Sequence, residues 1–228
     1  MKITKKSVNK FKSIKEKDIW NAENIYHLKT DISRIGKLLY HYEIYKKIVN
    51  IPGIVIECGV FKGISLSRFL TFRSILENNF GRKIYGFDSF GKFPTTNDIG
   101  DKKFFKNWKK SVGESISKKE LSKIFFDKKF ENFELVKGDV FKTIPKFIKN
   151  NDNMKIALLH LDMDVYKPTK FVINKLFEKM SSNGIILIDD YSSVKGTTKA
   201  IDEFLKTKKG LKIQKLPYYK LPSFIIVP

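Results

Sequence analysis

Four aspartates follow two apolar segments of the sequence. Asp162 ends the run MKIALLHLD, and Asp164 lies two residues further on. Asp189 and Asp190 come directly after GIILI. If these runs are neighbouring strands, the carboxylates gather at adjacent strand ends, and Asp162 and Asp164, being two residues apart, project to one side. Carboxylates this close cannot all remain ionised at neutral pH unless a cation or a proton offsets them. The pattern therefore predicts a cation site.

Oxygen ligands of this kind favour a hard divalent cation such as Mg²⁺, Mn²⁺ or Ca²⁺. A cysteine-based cluster is excluded because Cys58 is the single cysteine; it lies in an apolar run, which favours a buried thiol over a catalytic nucleophile. The alternative role for the aspartates is helix capping. It fits poorly because Pro168 suggests a cap at Lys167, and the helix after Asp190 is expected to begin near Thr197.

A glycine-rich turn follows the first apolar run and opens a helix. Gly59 and Gly63 allow the backbone to approach a ligand closely, and the helix start near Ser65 leaves free N–H groups. The spacing E-x-G-x-x-x-G differs from the closely spaced glycines of dinucleotide sites, and Glu57 suits the ammonium and sulfonium groups of S-adenosylmethionine better than a phosphate. The turn therefore predicts a binding site for that cofactor.

Two further strand ends carry an acid that suits the same ligand. Asp88, followed by Ser89, ends the second run, where a carboxylate can accept hydrogen bonds from ribose hydroxyls; the alternative is an ordinary turn aspartate. Asp139 ends the third run and is placed to face the adenine edge. Three strand ends then converge on one cofactor.

The order of apolar runs and helical segments indicates a mostly parallel sheet with helices on both faces. Strands are expected over 53–60, 82–90, 133–139, 154–162 and 184–191, and helices over about 63–79, 143–150, 168–182 and 197–209. A further amphipathic helix runs from Ile32 until Pro52 and Gly53 stop it. The last two runs, LKIQKLP and SFIIVP, are separated only by 218–222, so they predict a C-terminal antiparallel hairpin. This α/β arrangement is that of the class I methyltransferases, with their Rossmann-like fold.

The chain is expected to form a single domain over 31–228, preceded by a lysine-rich N-terminal arm over 1–30. The segment 91–132 is a long insertion, rich in lysine and aromatic residues, between two core strands. Insertions of this kind are often functional lids, and we expect this one to act as a lid.

Basic residues dominate the charge, with 45 Lys and Arg against 24 acids and a formal net charge of +21. Such a surface attracts nucleic acid, anionic lipid or acidic glycan, so peripheral contact with an anionic surface is one interpretation. The other is biased codon usage, since lysine is spread over every segment. No apolar run approaches the roughly 18–20 residues of a membrane span, and no secretory signal is recognised, which predicts a cytoplasmic protein.

The sequence resembles the TylF and MycF family of macrocin-type O-methyltransferases, which act on sugar hydroxyls of natural products. The resemblance covers roughly residues 31–205 and rests on the segments PGIVIECGVFKGIS, IYGFDSFGKFP, HLDMDVYKPT and GIILIDDYSSVKGTTKAIDEF, in the family's order. It implies an S-adenosylmethionine-dependent enzyme that methylates a hydroxyl of a small molecule or glycan, with a homo-oligomeric assembly.

The resemblance also implies a role for each site residue. Asp162, Asp189 and Asp190 would hold Mg²⁺, and Asp164 would be the general base. The cofactor pocket would be lined by Glu57, Gly59, Gly63, Ser65, Asp88, Ser89, Asp139 and Asp162.

Two departures from the family's pattern concern the fourth strand. Met163 stands where a glycine is common, and His160 where an arginine is frequent, which leaves the acceptor's identity open. His160 is an alternative base, although a histidine on a buried strand is more often structural.

Two other functions stay open at this point. A nucleic-acid methyltransferase is suggested by the charge and by Phe104, Phe105 and Trp108 among lysines, but the fourth strand lacks the Asn/Asp-Pro-Pro-aromatic turn of amino-methylating enzymes. A non-catalytic binding or scaffold role is disfavoured by the intact aspartate set.

Overall fold

The computed structural model describes residues 14–91 and 112–228, which form one seven-stranded sheet flanked by helices. The strands are β1 (Ile54–Cys58), β2 (Ile84–Asp88), β3 (Phe133–Lys137), β4 (Ile156–Leu161), β5 (Met180–Ile188), β6 (Ile213–Gln214) and β7 (Ser223–Ile226). The helices are α1 (Glu16–Lys29), α2 (Ile32–Ile48), α3 (Ile64–Leu76), α4 (Lys118–Asp127), α5 (Val140–Asn150), α6 (Tyr166–Leu176) and α7 (Lys195–Thr207).

The strand order is β3-β2-β1-β4-β5-β7-β6, in which β1 to β5 pair with one another in parallel and β7 is antiparallel to β5 and β6. The predicted fold class and the terminal hairpin are both confirmed. Cys58 at the end of β1 aligns with Phe87 of β2 and with Leu161 of β4. The carboxyl ends of these central strands therefore meet at one edge of the sheet, called the carboxyl edge below.

Apolar side chains of each strand alternate between two buried layers, as the two-residue period of a strand requires. Leu158 and Leu187 pack in the layer that includes residues of α2, α3 and α4. Leu159 and Ile188 pack in the opposite layer, with residues of α5, α6 and α7. Helices thus cover both faces as predicted, and α2 lies on the same face as α3.

Several element boundaries differ from the sequence-based prediction. Helix α6 begins at Tyr166 after the N-cap Val165, so the predicted cap at Lys167 is wrong. Helix α5 begins at Val140, ahead of the predicted residue 143, because the Asp139 side chain accepts a hydrogen bond from the Phe141 N–H and caps the helix. Helix α6 ends at Leu176 rather than at 182, and a short 3₁₀ helix, Phe177–Lys179, leads directly into β5. Strand β5 begins at Met180 rather than at the predicted residue 184, because Met180 already pairs with Ile156 of β4.

The predicted arm and lid fall partly outside the described residues, namely at 1–13 and 92–111. Within the arm, α1 has no buried residue. Within the insertion, α4 begins at a capping box formed by Ser117 and Glu120, and it buries Leu121 and Phe125 in the core. Among the described residues, no helix is long and apolar enough to cross a membrane.

Candidate active site

The turn after β1 requires glycine at Gly59. Its φ is +96°, and a Cβ atom there would lie 1.8 Å from the carbonyl oxygen of Asp162. Gly63, the N-cap of α3, has φ +78°, and a Cβ atom would approach the side chain of Leu121 to 2.5 Å. The predicted cofactor turn therefore lies directly against the backbone that follows β4.

Glu57 at the end of β1 is fully buried and engaged on both carboxylate oxygens. Ser65 Oγ donates to Glu57 Oε1 over 2.9 Å, and His160 Nδ1 lies 3.2 Å from Oε2. Burial of an acid is costly unless its oxygens are hydrogen-bonded or paired. Glu57 therefore links the start of α3 to β4, and its proposed contact with a bound cofactor stays a prediction.

Asp88 at the end of β2 organises the glycine turn. Its Oδ2 accepts hydrogen bonds from the backbone N–H groups of Val60 and Phe61 at 2.9 and 3.0 Å. Its Oδ1 accepts from the Phe90 N–H at 2.6 Å and from Ser89 Oγ at 3.3 Å. The carboxylate thus fixes two neighbouring loops, so a ribose contact, which stays a prediction, would add to these bonds.

Asp139, at the end of β3, uses Oδ1 to accept the Phe141 N–H at 3.0 Å. The sequence predicted an adenine contact for this residue. The cap places the side chain at the carboxyl edge, and the adenine contact stays a prediction.

Three of the four clustered aspartates converge. Asp162, Asp164 and Asp190 each place one carboxylate oxygen within 4.8 Å of the others; we call these residues the acidic group. Burial first, and the neighbouring carboxylates second, raise the pKa values of Asp162 and Asp164 well above the usual aspartate range. The same causes raise the pKa of Asp190. Three crowded oxygen donors fit a hard divalent cation.

The backbone at Asp164 explains how this convergence arises. Its φ is +63°, and the Val165 N–H bonds to the Met163 carbonyl over 2.8 Å, so the chain turns sharply after β4. The sequence argument placed Asp162 and Asp164 on one side of an extended strand. The two residues do come together, but through a tight turn.

Asp189 lies apart from the acidic group, although the resemblance placed it with Asp162 and Asp190 as a metal ligand. Lys37 of α2 donates to Asp189 Oδ2 over 2.6 Å. The Nε2 atoms of His41 and His160 lie 3.9 and 3.7 Å from Oδ1. Burial opposes the ionisation of Asp189, but Lys37 and the histidines hold its pKa well below its usual range. The complete ligand set stays a prediction.

The alternation of β5 explains this separation. Leu187 packs in the layer of α2 and α3, and Ile188 packs in the opposite layer. The next residue, Asp189, therefore turns toward α2, and Asp190 turns away from it. Period-two alternation was available from the sequence and would have separated the two aspartates.

Two buried histidines share the layer below α2. His160 is fully buried; burial alone would lower its pKa, but the carboxylates of Asp189 and Glu57 raise it to about 10. Burial lowers the pKa of His41 to about 3. Within the described part of the chain, both ring nitrogens of His41, Nε2 of His160 and Oδ1 of Asp189 lack a hydrogen-bond partner. His160 is thus positioned between Glu57 and Asp189, away from the acidic group.

Sequence reasoning missed Lys37 and His41. They are four residues apart on α2, so they share one helix face. The signal available in the sequence was this polar pair on the same helix face as Tyr40 and Ile44, which are buried. Cys58 is buried and burial raises the pKa of its thiol, which supports the interpretation as a packed thiol rather than a nucleophile.

The chain matches a family model and several known proteins. The model described as macrocin-O-methyltransferase (TylF) matches residues 33–215. Demethyldecarbamoylnovobiocin O-methyltransferase of Streptomyces niveus is 27% identical over 164 residues, which cover 68% of this chain and 59% of the relative. A second relative, from Streptomyces olivaceus, is 8-demethyl-8-(2,3-dimethoxy-alpha-L-rhamnosyl)-tetracenomycin-C 4'-O-methyltransferase. It is 23% identical over 173 residues, which cover 74% of this chain and 64% of the relative.

The chain spans about three fifths of the length of these curated relatives. Among solved structures, the calicheamicin methyltransferase CalS11 superposes with a TM-score of 0.74 at 23% identity, covering 97% of this chain and 90% of CalS11. That likeness shows the fold. The family match includes the glycine turn, Asp88 and both aspartate segments, and it extends over most of the sequence, so the chain belongs to the macrocin-O-methyltransferase (TylF) family.

Proposed function

We propose that this protein is an S-adenosylmethionine-dependent O-methyltransferase that acts on a sugar hydroxyl with a divalent cation. The observation that carries the proposal is the contact between Gly59 and Asp162. Because a Cβ atom at Gly59 would meet the Asp162 carbonyl at 1.8 Å, the predicted cofactor turn and the acidic group are in direct contact. This adjacency supports the proposal, because a methyl donor and an acceptor must bind next to each other for direct transfer.

A sugar acceptor is supported by the relatives. One relative is named for methylation of a novobiocin precursor, and another for 4'-O-methylation of a rhamnosyl compound. The family match favours this acceptor over the nucleic-acid alternative. The insertion 91–132 and the arm 1–30 are proposed to select the acceptor, and a homo-oligomeric, cytoplasmic enzyme is part of the same proposal.

The cation would be held by Asp162 and Asp190, with Asp189 as the third ligand that the resemblance implies. When bound, S-adenosylmethionine supplies an electrophilic methyl group, and the divalent cation lowers the pKa of the acceptor hydroxyl. Mg²⁺ is proposed because the donors are carboxylates, the ligand class that Mg²⁺ prefers.

Asp164 is proposed as the general base that takes the acceptor's proton. Its carboxylate lies within 4.8 Å of those of Asp162 and Asp190, so it neighbours the groups that would hold the cation. With S-adenosylmethionine bound, the acceptor oxygen would take its methyl group as the methyl–sulfur bond breaks, and the hydroxyl proton would pass to the Asp164 carboxylate. The products are the methyl ether and S-adenosylhomocysteine.

The test incubates the full chain with S-adenosylmethionine, MgCl₂ and a panel of nucleotide sugars and glycosylated small molecules, and follows S-adenosylhomocysteine by mass spectrometry. We expect acceptor-dependent product that falls at least about 100-fold in excess EDTA and returns with Mg²⁺. Asp190→Asn should lose transfer and keep cofactor binding in calorimetry. Full activity in EDTA would contradict the role of the cation, and absence of cofactor binding would contradict the whole proposal.

A further inference from the structure

Lys37 makes a contact that the family resemblance does not assign. Its ammonium reaches from α2 to Asp189 Oδ2 at 2.6 Å, across 152 residues of sequence. The Asp189 side chain is 7% exposed and that of Lys37 is 30% exposed. A nearly buried carboxylate is thus paired with an ammonium that retains a path to solvent.

Lys37 is the hydrogen-bonding partner of Asp189 Oδ2. The other oxygen, Oδ1, has no hydrogen-bond partner within the described chain, and both histidine nitrogens near it lie beyond 3.5 Å. The charge of Lys37 also interacts with those of Asp162 and Asp190. One ammonium is therefore within electrostatic range of all three aspartates that the resemblance gives as metal ligands.

A divalent cation held by these aspartates would lie close to the Lys37 ammonium. Two positive charges that lie close together in a region from which water is largely excluded repel each other strongly. The metal can engage Asp189 Oδ2 only if the Lys37 side chain withdraws, and its partial exposure gives it room to do so.

We infer that Lys37 is a positioning residue that competes with the divalent metal for Asp189. In the metal-free protein its ammonium pairs with Asp189 and neutralises the charge of this carboxylate. Metal binding displaces the ammonium toward solvent, so Lys37 weakens the intrinsic metal affinity of the site. The inference rests on the cation-binding part of the proposed function and is independent of the acceptor.

The first test measures Mn²⁺ affinity by calorimetry and electron paramagnetic resonance, without cofactor or acceptor. Lys37→Gln removes the charge and should tighten Mn²⁺ binding at least about tenfold, whereas Lys37→Arg keeps the charge and should not tighten it. Arg68→Gln is the matched control, because Arg68 acts on Asp189 through its charge but forms no ion pair with it. This control should change the affinity less than about threefold.

The second test uses the wild-type protein and so does not depend on the folding of a variant. Lysine acetylation with acetic anhydride, quantified by peptide mass spectrometry, should label Lys37 several-fold faster once Mn²⁺ is saturating. Lys208 is the internal comparison, since it is paired with Glu178 at 2.6 Å and has a similar side-chain exposure of 34%. Its labelling should not respond to Mn²⁺.

Unchanged or weaker Mn²⁺ affinity in Lys37→Gln would overturn the inference, as would Lys37 labelling that is insensitive to bound Mn²⁺. Failure of the wild type and every variant to bind Mn²⁺ would overturn both the inference and the cation part of the proposed function. Tighter binding in Lys37→Gln without methyl transfer to any acceptor would overturn the function alone.

Discussion

The two halves of the carboxyl edge treat their carboxylates differently. At the ends of β2 and β3, Asp88 and Asp139 accept backbone N–H groups and hold loops in place. At the ends of β4 and β5, the acidic group places three carboxylates near one another with raised pKa values. In the first half, called the cofactor half after its predicted ligand, the carboxylates are hydrogen-bonded within the protein. The second half, called the acidic half, has excess negative charge that a cation can relieve.

Glu57 and His160 connect the two halves. His160 Nδ1 lies 3.2 Å from Glu57, and its Nε2 lies 3.7 Å from Asp189. All three residues face the layer below α2. The two halves therefore differ in chemistry but are joined by a buried polar row formed by Glu57, His160 and Asp189. Substitutions in each half and in the row test this difference.

The largest effect is expected for Asp164→Asn, which removes the proposed base from the acidic half. Loss of a general base lowers kcat by about 10²- to 10⁴-fold. Steady-state kinetics with an accepted sugar would measure the loss, and calorimetry should show cofactor affinity unchanged within about threefold. A wild-type kcat in this variant would show that Asp164 is not the general base.

A substitution in the cofactor half should instead act on folding. Asp88→Ala leaves the N–H groups of Val60, Phe61 and Phe90 without their acceptor, and we expect a loss of about 3 kcal/mol in the free energy of unfolding. Urea denaturation checks this value. If Asp88→Ala kept wild-type stability and lost only cofactor binding, the contrast between the halves would be wrong.

Added metal should stabilise the protein only through the acidic half. At a Mg²⁺ concentration about 100 times the Kd, the free energy of unfolding should rise by about 2.7 kcal/mol in the wild type. Asp190→Asn should lose this gain, and Asp139→Asn, in the cofactor half, should keep it. Denaturation with and without Mg²⁺ makes the comparison, and equal gains in both variants would count against a cation at the acidic group.

The smallest effect concerns the row that joins the halves. The pKa of His160 is raised from 6.5 to about 10, so its contribution to stability is present below pH 6.5 and is lost as the pH rises toward 10. The wild type should lose about 2 kcal/mol more than His160→Gln between pH 7 and pH 8.5. His41 has a pKa lowered to about 3, so its contribution is lost as the pH falls below 6.5. His41→Gln should therefore leave the alkaline loss intact, and parallel alkaline curves for wild type and His160→Gln would contradict the assignment.

The fold could be predicted because its signals are local. Apolar runs such as 154–162 and 184–191, separated by helical segments, determine a parallel sheet, and a parallel sheet brings strand ends to one edge. Asp162 and Asp190 were placed near each other on that reasoning alone, and the structure brings them together.

What escaped prediction depends on contacts between distant residues. The pairing of Lys37 with Asp189 needs the docking of α2 on the sheet, which no local pattern specifies. The early start of β5 at Met180 escaped because Ser181, Ser182 and Asn183 give the strand a polar beginning that does not resemble a buried run. The resemblance supplied a ligand set for the metal, but the directions of Asp189 and Asp190 follow from strand alternation, and that of Asp164 follows from the turn after β4.

The close approach of Gly59 to Asp162 has a consequence for how acceptor preference changes. The distance between the predicted cofactor turn and the acidic group is determined by the contact of the Gly59 main chain with the Asp162 carbonyl, so it does not depend on the side chains of the surrounding loops. Under the proposed function, substitutions in the surrounding loops would alter which acceptor binds, while the distance between the predicted cofactor turn and the acidic group stays constant. Any residue with a side chain at position 59 would clash with the Asp162 carbonyl and increase the distance between the predicted cofactor turn and the acidic group, whichever acceptor is bound.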